Sequence, residues 1–304
     1  MNTFQSLKTE LNRVCPGLQI NEWEPMKRHT SFRIGGPVAM MAFPVTTEET
    51  IATIQAARRV GVKPILLGRG TNLLCGDGPL NYFMIKTNPG LSHIEQVGSH
   101  GIRCGAGIPM RQLACFAQQN GLTGLEFAHG IPGSLGGGVV MNAGAYGGEL
   151  ANVVKETTAL DENGEVMVFR GAEQEFGYRT SVFKTRRLLV LDALIELSSG
   201  DPEAIQAQMD DYLRRRKRTQ PLEYASAGSM FKRPAGAYAA ALIDQCGLKG
   251  YRVGDAQVSE KHAGFVINRD SATCADILAL VRHVQHVVQE ETGFTLEMEV
   301  ITLE

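Results

Sequence analysis

The fold is decided by two glycine-rich stretches, Gly68-Arg69-Gly70-Thr71-Asn72-Leu73-Leu74 and Gly130-Ile131-Pro132-Gly133-Ser134-Leu135-Gly136-Gly137-Gly138. The first directly follows the apolar run Pro64–Leu67, which has the length and composition of a buried strand. In α/β folds, ligand-binding groups usually lie where a strand ends in such a loop. The second glycine-rich stretch also comes after a predicted strand, at 102–107, and a predicted helix, at Met110–Gln119. The sequence therefore predicts two similar lobes with one binding loop each.

Helix and strand signals extend outward from these loops. Thr46 and Glu49 have the spacing of a capping box, and Gly61 ends the helix that they begin. From residue 153 onward strand patterns alternate, with a hairpin-type turn at Asp161-Glu162-Asn163-Gly164. Asp201-Pro202 then begins a helix that ends in the basic run 214–218.

We expect the domain boundary near residue 200. It separates a two-lobed domain, 1–199, with lobes at about 1–87 and 88–199, from a smaller α+β domain, 200–304. The smaller domain is expected to contain a helix at 238–246 and a helix after Ser271 with one apolar stripe. A last strand is expected at 295–303.

Composition excludes several functional classes. Among 304 residues, 30 Lys and Arg balance 32 Asp and Glu to a net charge of -2, so no basic field favours nucleic acid. No apolar run approaches the roughly 20 residues that span a bilayer, and the N-terminal residues lack the pattern of a secretory signal. We therefore expect a cytoplasmic protein with no membrane partner. The six cysteines form no C-x-x-C pair, which predicts free thiols and no metal site.

Consecutive glycine amides can form a concave nest that binds a diphosphate without a cationic side chain. The alternative is that these glycines only make tight turns. Neither stretch is a P-loop, because no Gly-Lys-Ser/Thr follows, and neither has the third glycine and acidic partner of a dinucleotide fingerprint. Two such loops in one chain favour the binding interpretation.

An ordered set of motifs resembles the UDP-N-acetylenolpyruvoylglucosamine reductases, the MurB family. The order and spacing match over nearly the whole chain. The matching segments are Thr30-Ser31-Phe32-Arg33-Ile34-Gly35-Gly36-Pro37, the loop after Leu67, the stretch 130–149 with Met141-Asn142-Ala143-Gly144-Ala145-Tyr146-Gly147-Gly148, Tyr178-Arg179-Thr180-Ser181, Gly228-Ser229-Met230-Phe231-Lys232, 258–265 and 296–300.

The resemblance implies an α/β (α+β) fold, with a two-lobed FAD-binding domain of the vanillyl-alcohol-oxidase type and a C-terminal domain for a UDP-sugar. It implies a cytoplasmic monomeric flavoenzyme that uses NADPH to reduce UDP-N-acetylglucosamine enolpyruvate to UDP-N-acetylmuramate for peptidoglycan and cell-wall synthesis. NADPH and substrate are expected to use one flavin face in turn. The short stretch 179–220 is similar to the type II branch, which lacks an inserted capping segment.

The resemblance also assigns cofactor-binding residues. Arg69 stands where the family often has another glycine, and it departs from the family pattern at this position. The implied set is Arg33, Gly68, Arg69, Gly70, Thr71, Asn72, Leu73, Gly130, Pro132, Gly133, Ser134, Gly136, Gly137, Asn142, Ala143 and Gly144.

Three catalytic residues follow from the resemblance. Arg179 supplies a planar cation suited to a carboxylate that becomes an enolate, although most arginines make surface ion pairs. Ser229 is the implied proton donor to the carbanion, with a backbone turn or cap as the alternative. Glu299 is expected to be partly buried and protonated so that it assists this step, the alternative being a solvated carboxylate on an edge strand. The implied substrate-binding residues are Tyr178, Lys232 and Asn268.

Other interpretations stay open at this point. The basic run 214–218 suits either a substrate diphosphate or the dipole of its own helix, and His262 suits either a pocket or the interior. The rival functions are an oxidase of the same flavin fold, which often carries a histidine-linked flavin, and a non-catalytic protein that binds flavin or UDP-sugar.

Overall fold

The structure is a computed structural model that describes residues 3–88, 90–161 and 164–304. It divides into two compact units. Unit 1 contains residues 1–22, 39–69 and 82–214, and unit 2 contains residues 23–38, 70–81 and 215–304. The division therefore lies between residues 214 and 215, where the sequence predicted a boundary near 200, and two earlier segments belong to unit 2.

The elements are numbered in chain order. The helices are α1 Thr3–Val14, α2 Thr47–Arg59, α3 Met110–Gln119, α4 Leu135–Met141, α5 Val182–Thr185, α6 Pro202–Thr219, α7 Ala239–Gln245 and α8 Cys274–Thr292. The strands are β1 Gln19–Pro25, β2 Pro37–Phe43, β3 Pro64–Leu67, β4 Leu73–Cys75, β5 Leu80–Lys86, β6 Ile94–Val97, β7 Gly101–Gly105, β8 Leu122–Thr123, β9 Gly144–Ala145, β10 Gly148–Glu149, β11 Val154–Leu160, β12 Val166–Arg170, β13 Leu189–Glu196, β14 Ser198–Ser199, β15 Arg252–Val253, β16 Ala256–Val258, β17 Val266–Asn268 and β18 Ile301–Leu303.

Two sheets correspond to the two predicted lobes. The first has the strand order β1-β2-β5-β3, and β3 and β5 run parallel with Leu67 paired to Lys86. The second has the order β12-β11-β13-β7-β6, in which every pairing is antiparallel. The first glycine-rich loop follows β3 of the first sheet, and the second loop lies between β7 and β11 of the second sheet, where the sequence predicted two similar lobes with one loop each.

Local chemistry explains why the predicted helices form. The Thr46 hydroxyl accepts a hydrogen bond from the Glu49 amide at the start of α2, and Gly61 follows its end with φ +75°. In α8, Thr273 and Asp276 form a capping box. Of the predicted α8 stripe, Ile277, Val281, Val284 and Val288 are buried, whereas Leu278 and Val287 are half-buried.

Helix α6 explains the position of the boundary. The Asp201 carboxylate accepts a hydrogen bond from the Glu203 amide at its start, as predicted. Its apolar residues Ile205 and Met209 are buried in the core of unit 1. Burial of this face contributes roughly 25 cal/mol per Å² of apolar surface. The helix therefore belongs mostly to the preceding unit and does not begin a new one.

The core of unit 2 forms where α7 and α8 pack on the antiparallel sheet β15-β16-β17. Strand β4, which follows the first glycine-rich loop, pairs in parallel with β18. This pairing explains why residues 70–81 belong to unit 2. The predicted strand 295–303 is regular only at Ile301–Leu303, because residues 297–299 bond to an irregular segment at 230–232.

The predicted turn at 161–164 includes Glu162 and Asn163, which lie outside the described residues. Its flanking strands β11 and β12 pair as the prediction requires. Within the described part of the chain, no helix has the length and apolar character needed to cross a bilayer.

Candidate active site

The first glycine-rich loop leaves β3 at Leu67, and close contacts require two of its glycines. A Cβ atom on Gly68 would overlap the Ser134 hydroxyl oxygen, and one on Gly70 would overlap the His29 carbonyl oxygen. Gly70 also has φ +61°, a conformation that favours glycine. The side chain of Arg69, between them, is exposed. Packing therefore accounts for Gly68 and Gly70, and Arg69 is the residue of this turn that solvent reaches.

Lys86 approaches the same loop, although no sequence pattern indicated it. Its ammonium group donates a hydrogen bond to the Gly68 carbonyl oxygen over 2.6 Å, and Thr87 Oγ1 donates to the Leu67 carbonyl oxygen over 3.3 Å. Burial, with a smaller contribution from the nearby Arg69 cation, lowers the pKa of Lys86 to about 8. The end of β5 thus brings a partly buried cation to the start of the loop.

The second glycine-rich loop contains glycines of two kinds. A Cβ atom on Gly136 would lie 2.7 Å from the Ala106 Cβ atom, and one on Gly138 would lie 2.9 Å from Leu150 Cδ1, and both glycines are buried. Gly137 is exposed, and the nearest atom to a Cβ added there is Ser134 Oγ at 3.7 Å. Gly136 and Gly138 therefore allow α4 to pack, whereas Gly137 leaves its backbone open to a ligand.

Within unit 1 the two loops meet at Gly68 and Ser134. Ser134 is buried at 2% exposure and forms an isolated bridge with Pro109. The Gly133 carbonyl oxygen accepts a hydrogen bond from the Met110 amide over 3.0 Å. Pro132 is exposed beside these anchored residues. Segments of the two loops that are 66 positions apart in sequence thus lie together in unit 1, where the sequence predicted only two separate loops.

Asn142, predicted as a cofactor residue, is buried and serves the fold. It ends α4 with φ +43°, donates from Nδ2 to the Gly177 carbonyl oxygen over 3.1 Å, and accepts from the Ala151 amide over 2.9 Å. The Ser181 hydroxyl donates to the Val140 carbonyl oxygen over 2.8 Å. The segment with the predicted catalytic arginine is therefore bound along residues 140–144.

Arg179 lies at the tip of a tight turn. Gly177 and Thr180 close the turn through hydrogen bonds of 3.1 and 3.3 Å, and Arg179 has φ +55°. Its guanidinium donates to the Gly144 carbonyl oxygen over 3.4 Å and lies 5.3 Å from the ring centroid of the exposed Tyr178. The structure thus brings Arg179 together with the predicted cofactor residues Ala143 and Gly144.

Ser229 and Glu299 lie on neighbouring segments of unit 2. The Met230 amide donates to the Gly264 carbonyl oxygen, and the Glu299 amide donates to the Met230 carbonyl oxygen, each over 2.9 Å. The side chain of Ser229 is exposed and that of Glu299 is half-buried. Ser229, the predicted proton donor, therefore directly precedes Met230, the residue whose backbone bonds to Glu299.

Lys232 makes an ion pair with Glu297. The amide of Lys232 donates to the Glu297 carbonyl oxygen over 2.8 Å, and Nζ lies 2.8 Å from Glu297 Oε2. The hydrogen bond from Lys232 lowers the pKa of the Glu297 carboxyl. An exposed pair of this kind contributes little to stability. Its effect is to hold a cation three residues after Ser229.

Of the remaining predicted residues, Gly130 is half-buried in unit 1 and the others lie in unit 2. Thr71 and Leu73 are half-buried beside Asn72, whose side chain donates to the Glu299 carbonyl oxygen over 3.1 Å. Arg33 is exposed with φ +57°. Asn268 is buried at 4% exposure.

The side chain of Asn268 is engaged by the backbone. It donates to the Phe32 carbonyl oxygen over 3.0 Å and accepts from the amides of Asp270 and Ala272. These contacts give Asn268 a structural role. Its partner Phe32 directly precedes Arg33.

The structure places the two features whose role the sequence left open. His262 is half-buried, its Nδ1 accepts a hydrogen bond from the Gly264 amide over 3.2 Å, and burial lowers its pKa. Arg216, Lys217 and Arg218 form the last turn of α6, where cations complement the helix dipole. Across residues 3–88, 90–161 and 164–304, no group of three His, Cys, Asp or Glu side chains is arranged to hold a metal ion.

Comparison with family models identifies two regions of the chain, and comparison with curated relatives covers nearly all of it. Residues 38–170 match the FAD binding domain model, and residues 220–303 match the C-terminal domain model of UDP-N-acetylenolpyruvoylglucosamine reductase. A reductase of that name from Caldanaerobacter subterraneus subsp. tengcongensis is 45% identical over 91% of each chain. One from Clostridium kluyveri is 42% identical over 99% of this chain and 98% of its own.

Comparison with solved structures also finds a member of this reductase family. The crystal structure of UDP-N-acetylenolpyruvylglucosamine reductase (MurB) from Thermus caldophilus covers 94% of this chain and 99% of its own, with a TM-score of 0.79 at 33% identity. Alkyldihydroxyacetonephosphate synthase matches 65% of this chain with a TM-score of 0.50 at 13% identity, which shows a shared fold alone.

Proposed function

The chain belongs to the UDP-N-acetylenolpyruvoylglucosamine reductase family, and from that membership we propose that Arg179, Ser229 and Glu299 carry out the chemistry of its reaction. The enzyme is an FAD-dependent oxidoreductase that uses NADPH to reduce UDP-N-acetylglucosamine enolpyruvate to UDP-N-acetylmuramate in peptidoglycan synthesis. Bound FAD supplies the redox chemistry, since it accepts a hydride from NADPH and delivers one to the enol ether.

We propose that the diphosphate of the cofactor lies on the surface of unit 1 where Gly68 of the first loop meets Ser134 of the second. The residues present fit a diphosphate, because Gly137 leaves open space above its backbone and Lys86 supplies a cation beside Gly68. The ligand is also proposed to contact Pro132, Gly133 and Arg69 on this surface. The buried residues Ser134, Gly136 and Asn142 support it through packing and hydrogen bonds.

Arg179 is proposed to hold the substrate carboxylate. Reduction of the enol ether places negative charge on the carbon beside that carboxylate, and a planar, permanent cation stabilises the enolate that forms. The turn closed by Gly177 and Thr180 and the hydrogen bond to Gly144 fix the guanidinium before substrate binds. Preorganisation of this kind lowers the barrier because the charge needs no rearrangement of the protein.

Ser229 is proposed to donate the proton that completes the reduction. A hydroxyl is a weak acid, but it suffices when the acceptor is a strongly basic carbanion. Lys232, held three residues away by Glu297, is proposed to stabilise the alkoxide that Ser229 leaves or to contact a substrate phosphate. Glu299 is proposed to assist the same proton transfer.

The wider roles are also proposals. The substrate contacts of Tyr178 and Asn268 are carried over from the family pattern, and of these two only Tyr178 has an exposed side chain. The binding of UDP-sugar is assigned to the C-terminal region, 200–304. We further propose a monomer that works in the cytoplasm, where NADPH and UDP-sugars are available, and the mass measured by light scattering tests the monomer.

The observation that carries the Ser229 proposal is the exposed hydroxyl on a segment whose next residue is bonded to Glu299. For Ser229→Ala we expect flavin reduction by NADPH at the normal rate and reoxidation by the enolpyruvyl substrate slowed at least about 100-fold, the usual size of a general-acid contribution. Stopped-flow absorbance of the flavin separates these two half-reactions.

Ser226→Ala, three residues earlier and half-buried, serves as the matched control and should leave both half-reactions unchanged. Equal loss of both half-reactions in Ser229→Ala would contradict a proton-donor role. Full turnover would eliminate it.

A further inference from the structure

The side chain of Asn72 connects the first glycine-rich loop to the last segment of unit 2. Its Nδ2 donates to the Glu299 carbonyl oxygen over 3.1 Å, and the backbone carbonyl oxygen of Asn72 accepts from the Ile301 amide over 3.0 Å. Leu73 and Ile301 then begin the parallel pairing of β4 and β18. Asn72 therefore binds residues on both sides of Val300 at the point where this pairing starts.

Glu299 is consequently held by both of its backbone polar groups. Its amide donates to the Met230 carbonyl oxygen over 2.9 Å, and its carbonyl oxygen accepts from Asn72. Fixing the two peptide groups around a residue fixes the direction of its Cα–Cβ bond. The carboxylate of a half-buried glutamate then samples fewer positions, which matters because catalytic groups must be held within about 0.5 Å of their productive geometry.

The chemistry of the contact requires an amide donor at position 72. The acceptor is a carbonyl oxygen, so only the nitrogen end of the asparagine side chain satisfies it. An alanine would leave the Glu299 carbonyl without this donor, and an aspartate would present an ionised acceptor to it. The amide N–H is directed at the protein backbone, which is a role different from direct contact with a cofactor.

We propose that Asn72 is a positioning residue for the reduction, acting on the carboxylate of Glu299 through its hydrogen bond to the Glu299 carbonyl. This inference rests on the proposed role of Glu299. It places part of the machinery for substrate protonation on the loop that the sequence assigns to the cofactor. Loss of the Asn72 amide should therefore impair the same half-reaction as loss of the Glu299 carboxylate.

The test is a double-mutant cycle on the holoenzyme, with Asn72→Ala, Glu299→Gln and the combination. For Asn72→Ala we expect stoichiometric FAD, reduction by NADPH within about twofold of the normal rate, and reoxidation by the enolpyruvyl substrate slowed about tenfold or more. In the Glu299→Gln background the same change should slow reoxidation by less than about twofold.

Asn72→Asp keeps the size of the side chain and removes the donor, so it should reproduce the loss of reoxidation rate. This variant tests the donor even if alanine disturbs the strand pairing. Asn81→Ala, an exposed asparagine of the same unit, is the matched control and should leave both half-reactions unchanged.

Fully additive effects in the cycle would overturn the inference, as would a loss confined to FAD content or to reduction by NADPH. Normal reoxidation in Glu299→Gln would instead show that the proposed role of Glu299 fails, and the inference would fall with it. The two failures are distinguishable, because only the second leaves the single glutamate variant fully active.

Discussion

At the scale of single residues, a glycine that packs and a glycine that faces a ligand respond differently to an added methyl group. Gly136 lies against Ala106, and a Cβ atom there would come within 2.7 Å of the Ala106 Cβ. Gly137 has open space in the same turn of α4. Adjacent positions in one motif thus serve stability and binding separately.

We expect Gly136→Ala to lower the free energy of unfolding of the apoprotein by about 1–3 kcal/mol, because overpacking forces neighbouring atoms apart. Gly137→Ala should leave that free energy unchanged or raise it by up to about 1 kcal/mol, because alanine favours the helix. The same variant should weaken FAD binding at least tenfold, since its methyl group occupies the proposed diphosphate surface.

Urea unfolding of the apoprotein and fluorescence titration with FAD measure the two effects. Gly136→Ala acts as the control for Gly137→Ala, because the two changes add the same atom one residue apart. Unchanged FAD affinity in Gly137→Ala would remove this glycine from the cofactor site.

At the scale of elements, the parallel register of β3 and β5 brings the Lys86 side chain to the Gly68 carbonyl. Burial lowers the pKa of Lys86 from 10.5 to about 8, so the unfolded chain binds this proton more tightly than the folded protein. Between pH 8 and 10.5 the unfolded state therefore carries more protons at this site, and stability rises with pH. Below pH 8 both states are protonated and the contribution is constant.

We expect the unfolding free energy of the wild-type apoprotein, relative to that of Lys86→Met, to be constant from pH 6.5 to 7.5 and to increase between about pH 8 and 9.5. Denaturant unfolding at several pH values provides the measurement. Lys63→Met, which removes an exposed lysine of the same unit, should give a difference that does not vary with pH. A constant difference for Lys86→Met as well would mean that Lys86 keeps its ordinary pKa.

At the scale of the whole molecule, the chain has one proposed flavin surface and no separate dinucleotide fingerprint for NADPH. NADPH and the enolpyruvyl substrate are therefore expected to react with the flavin in turn. Initial rates should give parallel double-reciprocal lines, and each ligand should inhibit competitively against the other at high concentration. Intersecting lines, which require both ligands to be bound together, would contradict this order.

Much of the fold follows from local chemistry that the sequence displays. The caps at Thr46 and Thr273 and the stripe of α8 depend on residues within a few positions of each other, and all were predictable. The structural division falls after residue 214 and not near the predicted residue 200, because α6 buries Ile205 and Met209 in unit 1 through contacts between residues distant in sequence. The same limit concealed Lys86, whose partner Gly68 lies in the loop that follows another strand.

The site was predictable as a set of motifs but not as a set of roles. The pattern predicted Asn142 and Gly136 as cofactor residues and Asn268 as a substrate residue, whereas their contacts in the structure are hydrogen bonds or packing within the protein. A motif records that a residue type is required at a position. Whether a ligand or the fold imposes the requirement depends on three-dimensional neighbours, which spacing alone does not contain.

The parallel pairing of β4 with β18 has a consequence for biosynthesis. Asn72 emerges from the ribosome long before Glu299, since 227 residues separate them. Until that later stretch is translated, β4 has no β18 beside it, and closing so long a loop is slow. Unit 1 can condense on the nascent chain, but the acid and its asparagine reach their final arrangement only late in synthesis.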